Sequence, residues 1–271
     1  MKKMGVALCT AVSFVTASAY ATSQPGNQTL YPTTRASTEI GITFSAYRYE
    51  EPEVMSSKGK KIGLDFAATQ LLSNARFFRV EFRQAFGMVD YSSYETGSAE
   101  GQPDWYMEAR ALIGQDWIVD NAVFAPYAGL GYRYLFNDAR GISSTGNWGY
   151  RRESNYIYMP IGIMHRSSPD GRTRWISTLE YDQLLVGVQI SRLSDGGQGH
   201  GDLTNRQTRG YGVKMSLMVE KDKWAMGPYA HYWNISQSAI VTVYRNGMPI
   251  SSGWEPKNST TEFGFKVSQK F

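Results

Sequence analysis

"TTEFGFKVSQKF" (residues 260–271) alternates. Phe263, Phe265, Val267 and Phe271 share one parity, with Gln269 as the single polar break. Glu262, Gly264, Lys266, Ser268 and Lys270 share the other. Side chains along a strand point to opposite faces in turn, so this is a strand with one apolar side and one polar side. Taken alone it fits the edge of a soluble sheet as well as a membrane strand. The pattern of the other strands and their connections decides between the two.

Working outward, the same period of two recurs. In residues 38–50, Ile40, Ile42 and Phe44 oppose Glu39, Gly41 and Thr43. In residues 61–71, Ile62, Leu64 and Phe66 oppose Lys61, Gly63 and Asp65. Residues 77–91 set Phe78, Val80, Phe82 and Phe86 against Arg79, Glu81 and Arg83. Segments 105–117, 124–136, 155–166, 174–183, 210–220 and 224–234 alternate similarly, which with 260–271 makes ten strands. Past Gln183 the apolar parity flips to Leu184, Val186, Val188 and Ile190. That flip marks a bulge or a strand running beyond a membrane; an extra hairpin hidden there gives an alternative count of twelve.

The connections carry the stronger signal. "LSNA", "IVDNA", "SSPDG" and "EKDK" are short and rich in turn residues. Between them lie five longer polar segments: 51–60, 92–104, 137–154, 192–207 and 236–259. Long and short connections alternate throughout. A soluble sandwich has no reason for this order, whereas an outer-membrane barrel has short periplasmic turns and long outer loops. The expected fold is therefore an all-β, antiparallel, up-and-down transmembrane barrel over residues 38–271. An even strand count returns the C-terminus to the periplasmic side, where Phe271 anchors at the membrane boundary.

The bulk composition agrees. The first 21 residues read as a cleaved secretory signal: Lys2 and Lys3, a short apolar run, then Ala19-Tyr20-Ala21 before the cut near Ala21. Residues 22–37 read as a loose periplasmic lead-in. The sole cysteine, Cys9, falls in the signal, which excludes disulfides, thiol catalysis and sulfur-bound metal from the remainder. Losing Lys2 and Lys3 lowers the 28 basic residues to 26, against 24 acidic. Nothing in that balance points to nucleic acid. The chain carries 18 Tyr, 12 Phe and 7 Trp, residues that favour a membrane interface.

With these features the chain resembles Gram-negative outer-membrane β-barrel proteins of the small porin-like class, over Thr38 to Phe271. The resemblance implies a cell outer membrane location, contact with outer-membrane lipid, and a monomer. It also implies that Phe263, Phe265, Val267 and Phe271 form the signal read by the barrel-assembly machinery. Gln269 departs from that pattern, where a hydrophobic residue is usual.

If the apolar parity faces lipid, the other faces the lumen. Its charged members are Glu39, Asp65, Glu81, Glu108, Glu180, Asp182 and Glu262, with Lys61, Arg79, Arg83, Arg110, Arg133, Lys214 and Lys266, seven of each sign. Unpaired charges in a narrow interior are costly, so these are expected to pair. Gly129 and Gly131 are read as strand glycines leaving lumen room for Arg133. A lumen of about 10 strands lies nearer the filled end of the range than the open channels of about 16.

Catalytic signals are weak. Ten-stranded barrels include the omptin proteases, whose sites use paired aspartates and an Asp-His couple near the outer rim. The chain has no Asp-x-Asp or Asp-x-His pair. His165 falls at the periplasmic end of its strand, His200 sits in a glycine-rich loop with Asp202, and His231 faces the lumen. Neither a Gly-x-Ser-x-Gly element nor a metal-ligand cluster is visible, and no cofactor is expected. Three functions remain open: a non-enzymatic structural barrel or narrow passive pore, an adhesin-like barrel binding a ligand through its outer loops, and, weakest, a hydrolase. The longest loop holds a hairpin signal around Asn246-Gly247.

Overall fold

The computed structural model describes residues 31–271; the expected signal and residues 22–30 lie outside them. In chain order the strands are β1 (Ser37–Glu51), β2 (Met55–Leu71), β3 (Arg76–Ser93), β4 (Gly97–Gln115), β5 (Trp117–Val119), β6 (Ala122–Ile142) and β7 (Trp148–Ser167). They continue as β8 (Thr173–Ser191), β9 (Leu203–Gln207), β10 (Gly210–Lys221), β11 (Trp224–Ile235), β12 (Val241–Arg245), β13 (Met248–Gly253) and β14 (Asn258–Lys270). Ten of them close an antiparallel barrel in the order β1-β2-β3-β4-β6-β7-β8-β10-β11-β14. The final strand pairs back onto the first, with Ile42 opposite Val267 and Phe44 opposite Phe265. Of the rest, β5 prolongs the β4 edge along β6, β9 extends the sheet on β8, and β12 with β13 forms a separate hairpin. Ten is thus the barrel count, and twelve does not arise.

The four short connections are tight reversals. Asn74 and Ala75 (φ 60° and 58°) and Asp222 (φ 55°) take the left-handed conformation that such hairpin turns need. Around the outside runs an unbroken apolar surface. Ile42 and Phe44 on β1, Leu64 on β2, Leu130 on β6, Leu179 on β8 and Phe263 on β14 are all exposed, Phe263 by 62%. Exposure on this scale, around a whole circumference, suits hydrocarbon rather than water. Aromatic rings border it at both ends. Trp117, Trp175, Trp224 and Phe271 ring the short-turn side, where Phe124 also packs on His165. Toward the other side Trp105 meets Tyr134 and Phe136, and Tyr181 stacks on Tyr211, which meets Tyr232 at a tilt. From Trp224 to Tyr232, ~3.4 Å per residue at ~40° tilt gives about 20 Å, close to an apolar band of about 25 Å.

Three expectations change. The first three long connections are mostly strand: β1 and β2 pair out to Glu51↔Met55, and β3 and β4 to Ser93↔Gly97. Beyond the bilayer both faces of a strand meet water, so alternation fades while the backbone ladder continues. The parity flip in β8 is a bulge at Leu185. Ile157 pairs with Val186 but Tyr158 pairs with Leu184, which points inward and is buried. The described part of the lead-in, residues 31–36, is fastened rather than loose. Thr34 donates to Asp116 through its N–H (2.6 Å) and hydroxyl (2.8 Å), and Arg174 donates to the carbonyls of Pro32 and Thr33.

The inner glycines hold aromatic rings. A Cβ on Gly131 would lie 2.2 Å from the Tyr158 ring, one on Gly162 2.4 Å from Tyr127, and one on Gly264 2.4 Å from Tyr229. The space at Gly131 thus belongs to Tyr158 across the strand pair, not to Arg133 as expected. Gly131→Val overpacks this contact and is expected to destabilise the barrel by about 1–3 kcal/mol in urea unfolding from micelles. Gly131→Val combined with Tyr158→Ala should cost less than the two single changes together; strict additivity would contradict the contact.

Candidate functional site: the charged lumen and the outer cup

Strand alternation aims the charged side chains inward, and they meet there. Lys266 joins Glu39 (2.8 Å) and Asp65 (3.2 Å); Asp65 takes both prongs of Arg83 (2.8 and 2.6 Å). Glu39 passes to Arg79 (3.5 Å), Arg79 to Glu81 (2.5 Å), Glu81 to Arg110 (2.5 Å), and Arg110 to Glu180. Lys214 then gathers Glu180 (3.4 Å), Asp182 (3.3 Å) and Glu108 (2.5 Å), and Glu108 reaches Arg133 (3.6 Å). Twelve of the fourteen expected lumen charges form this one network, with six carboxylates and six cations. In a region of low dielectric such exact charge balance offsets part of the desolvation cost, which is several kcal/mol per ion.

The other two find different partners. Lys61 pairs with Asp104 and lies 4.2 Å from the Tyr47 ring centroid. Among the described residues Glu262 forms no ion pair; it accepts hydroxyls from Tyr106 (2.8 Å) and Tyr229 (3.0 Å). His231 stands beside Arg83 (3.2 Å) and packs on Tyr229. A cavity of about 200 Å³ lies among these groups.

The cavity runs from these charges to Arg166 and Lys270 near the periplasmic turns, with packed groups along it. Toward the periplasmic turns, Phe77, Leu112, Ala125 and Tyr127 form a buried apolar cluster. Beyond it Arg166 pairs with Asp116 (3.0 Å), and Glu220 takes Arg174 (2.9 Å) and Lys270. Toward the long loops, Tyr156, Tyr158, Leu184, Trp233 and Ile235 form a second cluster. Arg133, 1% exposed, lies over Tyr106 (4.6 Å) and Trp233 (5.6 Å), so ring faces meet a guanidinium whose terminal nitrogens lack hydrogen bonds. Higher still, Arg152 is clamped by Glu51 and by Glu255 (2.6 Å).

Above that clamp the strand extensions and loops enclose an outer cup of about 630 Å³, lined by residues including Tyr91, Gln102, Trp148, Tyr150 and Trp254. The loops around it are tied by charge. Arg151 forks onto Asp195 (2.9 and 2.7 Å), and Arg192 bridges Glu153 (2.7 Å) and Asp202 (2.9 Å). Arg151 holds the Asp195 carboxyl down at about 2. A depressed carboxyl stabilises above its unfolded pKa of about 3.9 and loses that contribution only as pH falls through its folded value. This tie therefore persists at mildly acidic pH.

The histidines do not assemble a catalytic set. Asp202 is engaged by Arg192 and by Ser194 (2.6 Å), not by His200, whose backbone bridges to Arg245. His165 lies at the periplasmic end. Among the described residues no group of His, Cys, Asp or Glu could hold a metal ion. Sequence reasoning missed Asp104, Asp116, Glu51, Arg152 and Glu255, which it had placed in loops or at strand ends. Only the inward parity of Arg152 and Asp104, carried past the apolar stretch, could have found them.

No protein-family model matches the chain, and no curated protein matches it. Solved structures do. The outer membrane protease OmpT from Escherichia coli superposes with a TM-score of 0.57 at 11% identity, over 89% of this chain and 99% of that one. The translocator domain of the autotransporter NalP from Neisseria meningitidis gives 0.43 at 12% identity, over 89% and 90%. Neisserial surface protein A gives 0.36 at 10% identity, over 86% and 97%. The chain has the fold of the Gram-negative outer-membrane β-barrels.

Lys214 holds three carboxylates. Lys214→Met leaves Glu108, Glu180 and Asp182 short of a cation, so urea unfolding is expected to show a loss of about 3–5 kcal/mol. A loss below about 1 kcal/mol would mean that these charges are not paired in solution.

Proposed function

We propose that the protein is a sealed, non-enzymatic barrel of the Gram-negative outer membrane whose working surface is its outer face. The observation that carries this reading is the filling of the lumen: a Tyr-Trp-Arg layer toward the long loops, a charge network of six carboxylates and six cations beneath it, and an apolar cluster along the β3, β4 and β6 wall. A passive pore needs a continuous wet path and charges free to meet ions. The lumen charges here are engaged with one another.

The outer face, by contrast, is elaborate. The β12–β13 hairpin exposes Tyr244, Met248 and Ile250, with Trp254 beyond it. The next polar residue, Glu255, turns back to hold Arg152. This favours the adhesin-like reading as the second possibility, with the hairpin as the contact surface. The C-terminal strand fits the assembly role its aromatic parity suggests. Phe263, Phe265 and Phe271 face outward on the strand that closes the barrel.

Single-channel recording of the refolded protein in a planar bilayer tests the reading, with heat-modifiable gel migration to certify folding. The wild type should be silent. Arg133→Ala with Trp233→Ala opens the layer toward the long loops and should introduce discrete steps. Regular steps from folded wild type would sink the sealed-barrel reading.

A further inference from the structure

We propose that the outer cup is a binding site for a small organic polycation, a ligand with two or more ammonium groups such as a polyamine. The inference rests on the reading of the outer face as the working surface and names the ligand chemistry of that face.

The cup wall carries six carboxylates, from Glu51, Glu53, Glu95, Glu100, Asp138 and Glu255, against two guanidinium groups, Arg140 and Arg152. Both cations are already engaged. Asp138 takes both prongs of Arg140 (2.8 and 2.6 Å), and Arg152 lies between Glu51 and Glu255. Among the described residues, Glu53, Glu95 and Glu100 have no hydrogen bond or ion pair to any side chain. The cup therefore carries an uncompensated negative field with no free cation to receive an anion. Concave walls of one sign concentrate ligands of the opposite sign.

A second and independent feature points the same way. Gln102 lies on the cup wall at 7% exposure, and its side-chain oxygen is buried without a hydrogen-bond partner. Leaving such an acceptor unpaired is costly, and native structures rarely do so without a reason. An ammonium N–H is the donor that the site lacks. Aromatic faces complete the chemistry. Tyr91, Trp148, Tyr150 and Trp254 line the same space, and ring faces attract organic cations within about 6 Å. A volume of about 630 Å³ falls within the ~300–1,000 Å³ typical of small-molecule sites.

The test uses the full refolded barrel in lipopolysaccharide-free, uncharged micelles, with spermine as probe. Binding is read by titration calorimetry and by tryptophan fluorescence. Saturable binding is expected, weakening as salt rises, while a neutral polyether of similar length should not bind. Glu53→Gln, Glu95→Gln and Glu100→Gln together should weaken spermine by roughly tenfold or more, with gel migration showing that the barrel still folds. Gln102→Leu should weaken it independently. Asp222→Asn, in the turn between β10 and β11 at the opposite end of the barrel, should leave it unchanged.

Absence of binding at millimolar spermine would overturn the inference, and so would binding that survives the triple substitution. Bilayer recording of the same samples separates this outcome from failure of the underlying reading. A silent barrel that ignores spermine loses only the ligand assignment. A conducting barrel loses the sealed-lumen reading whatever the calorimeter reports.

Discussion

Hydrocarbon offers no partner to a backbone N–H or C=O, so a sheet that crosses it must bond to itself all the way round. The pairing of β14 with β1 meets that demand and dictates much else. Closure at ten strands sets a narrow lumen. A narrow lumen forces inward side chains into contact. Polar residues there must then satisfy one another, because little water can reach them. The outward parity is freed for Ile, Leu and Phe, and the aromatic rings sit where hydrocarbon gives way to water.

The interior answers this constraint in two ways. Where strands come close, glycine on one strand makes room for a ring from the next, as Gly131 does for Tyr158 and Gly264 for Tyr229. Elsewhere the filling is ionic, a linked run of six carboxylates and six cations. An apolar filling of equal volume can be as stable as a buried ion network. A network spread over β1, β2, β3, β4, β6, β8, β10 and β14 does something an apolar filling does not. It ties strands distant in sequence, since a register slip in any one would strand a charge.

Much of this was legible in residue order. Inside the membrane one face is greasy and one is not, so Ile40, Ile42 and Phe44 announce β1 without help. The seven-plus-seven set of lumen charges came from the same alternation. Legibility stopped where the physics changed. Above the bilayer both faces are wet, so residues 55–60, 92–93 and 97–104 read as loops although they lie in paired strands. Partners set by three-dimensional closure left no local trace. Lys61 meets Asp104 from such a stretch, and Glu255 folds down from the longest loop to reach Arg152. Glu262 broke the expectation in another way, choosing two tyrosine hydroxyls over a cation.

The central claim is a lumen sealed from the open cup above it, and chemical accessibility tests it most directly. Cys9 is the only cysteine in the sequence, so a single introduced thiol can be followed. Ser93 lines the cup and Ser216 lines the inner cavity. In the folded barrel, with only the loop side exposed to a charged, membrane-impermeant maleimide, Ser93→Cys should react promptly. Ser216→Cys should stay unlabelled until the protein is unfolded. Labelling of Ser216→Cys in the folded barrel, at a rate near that of Ser93→Cys, would contradict the account.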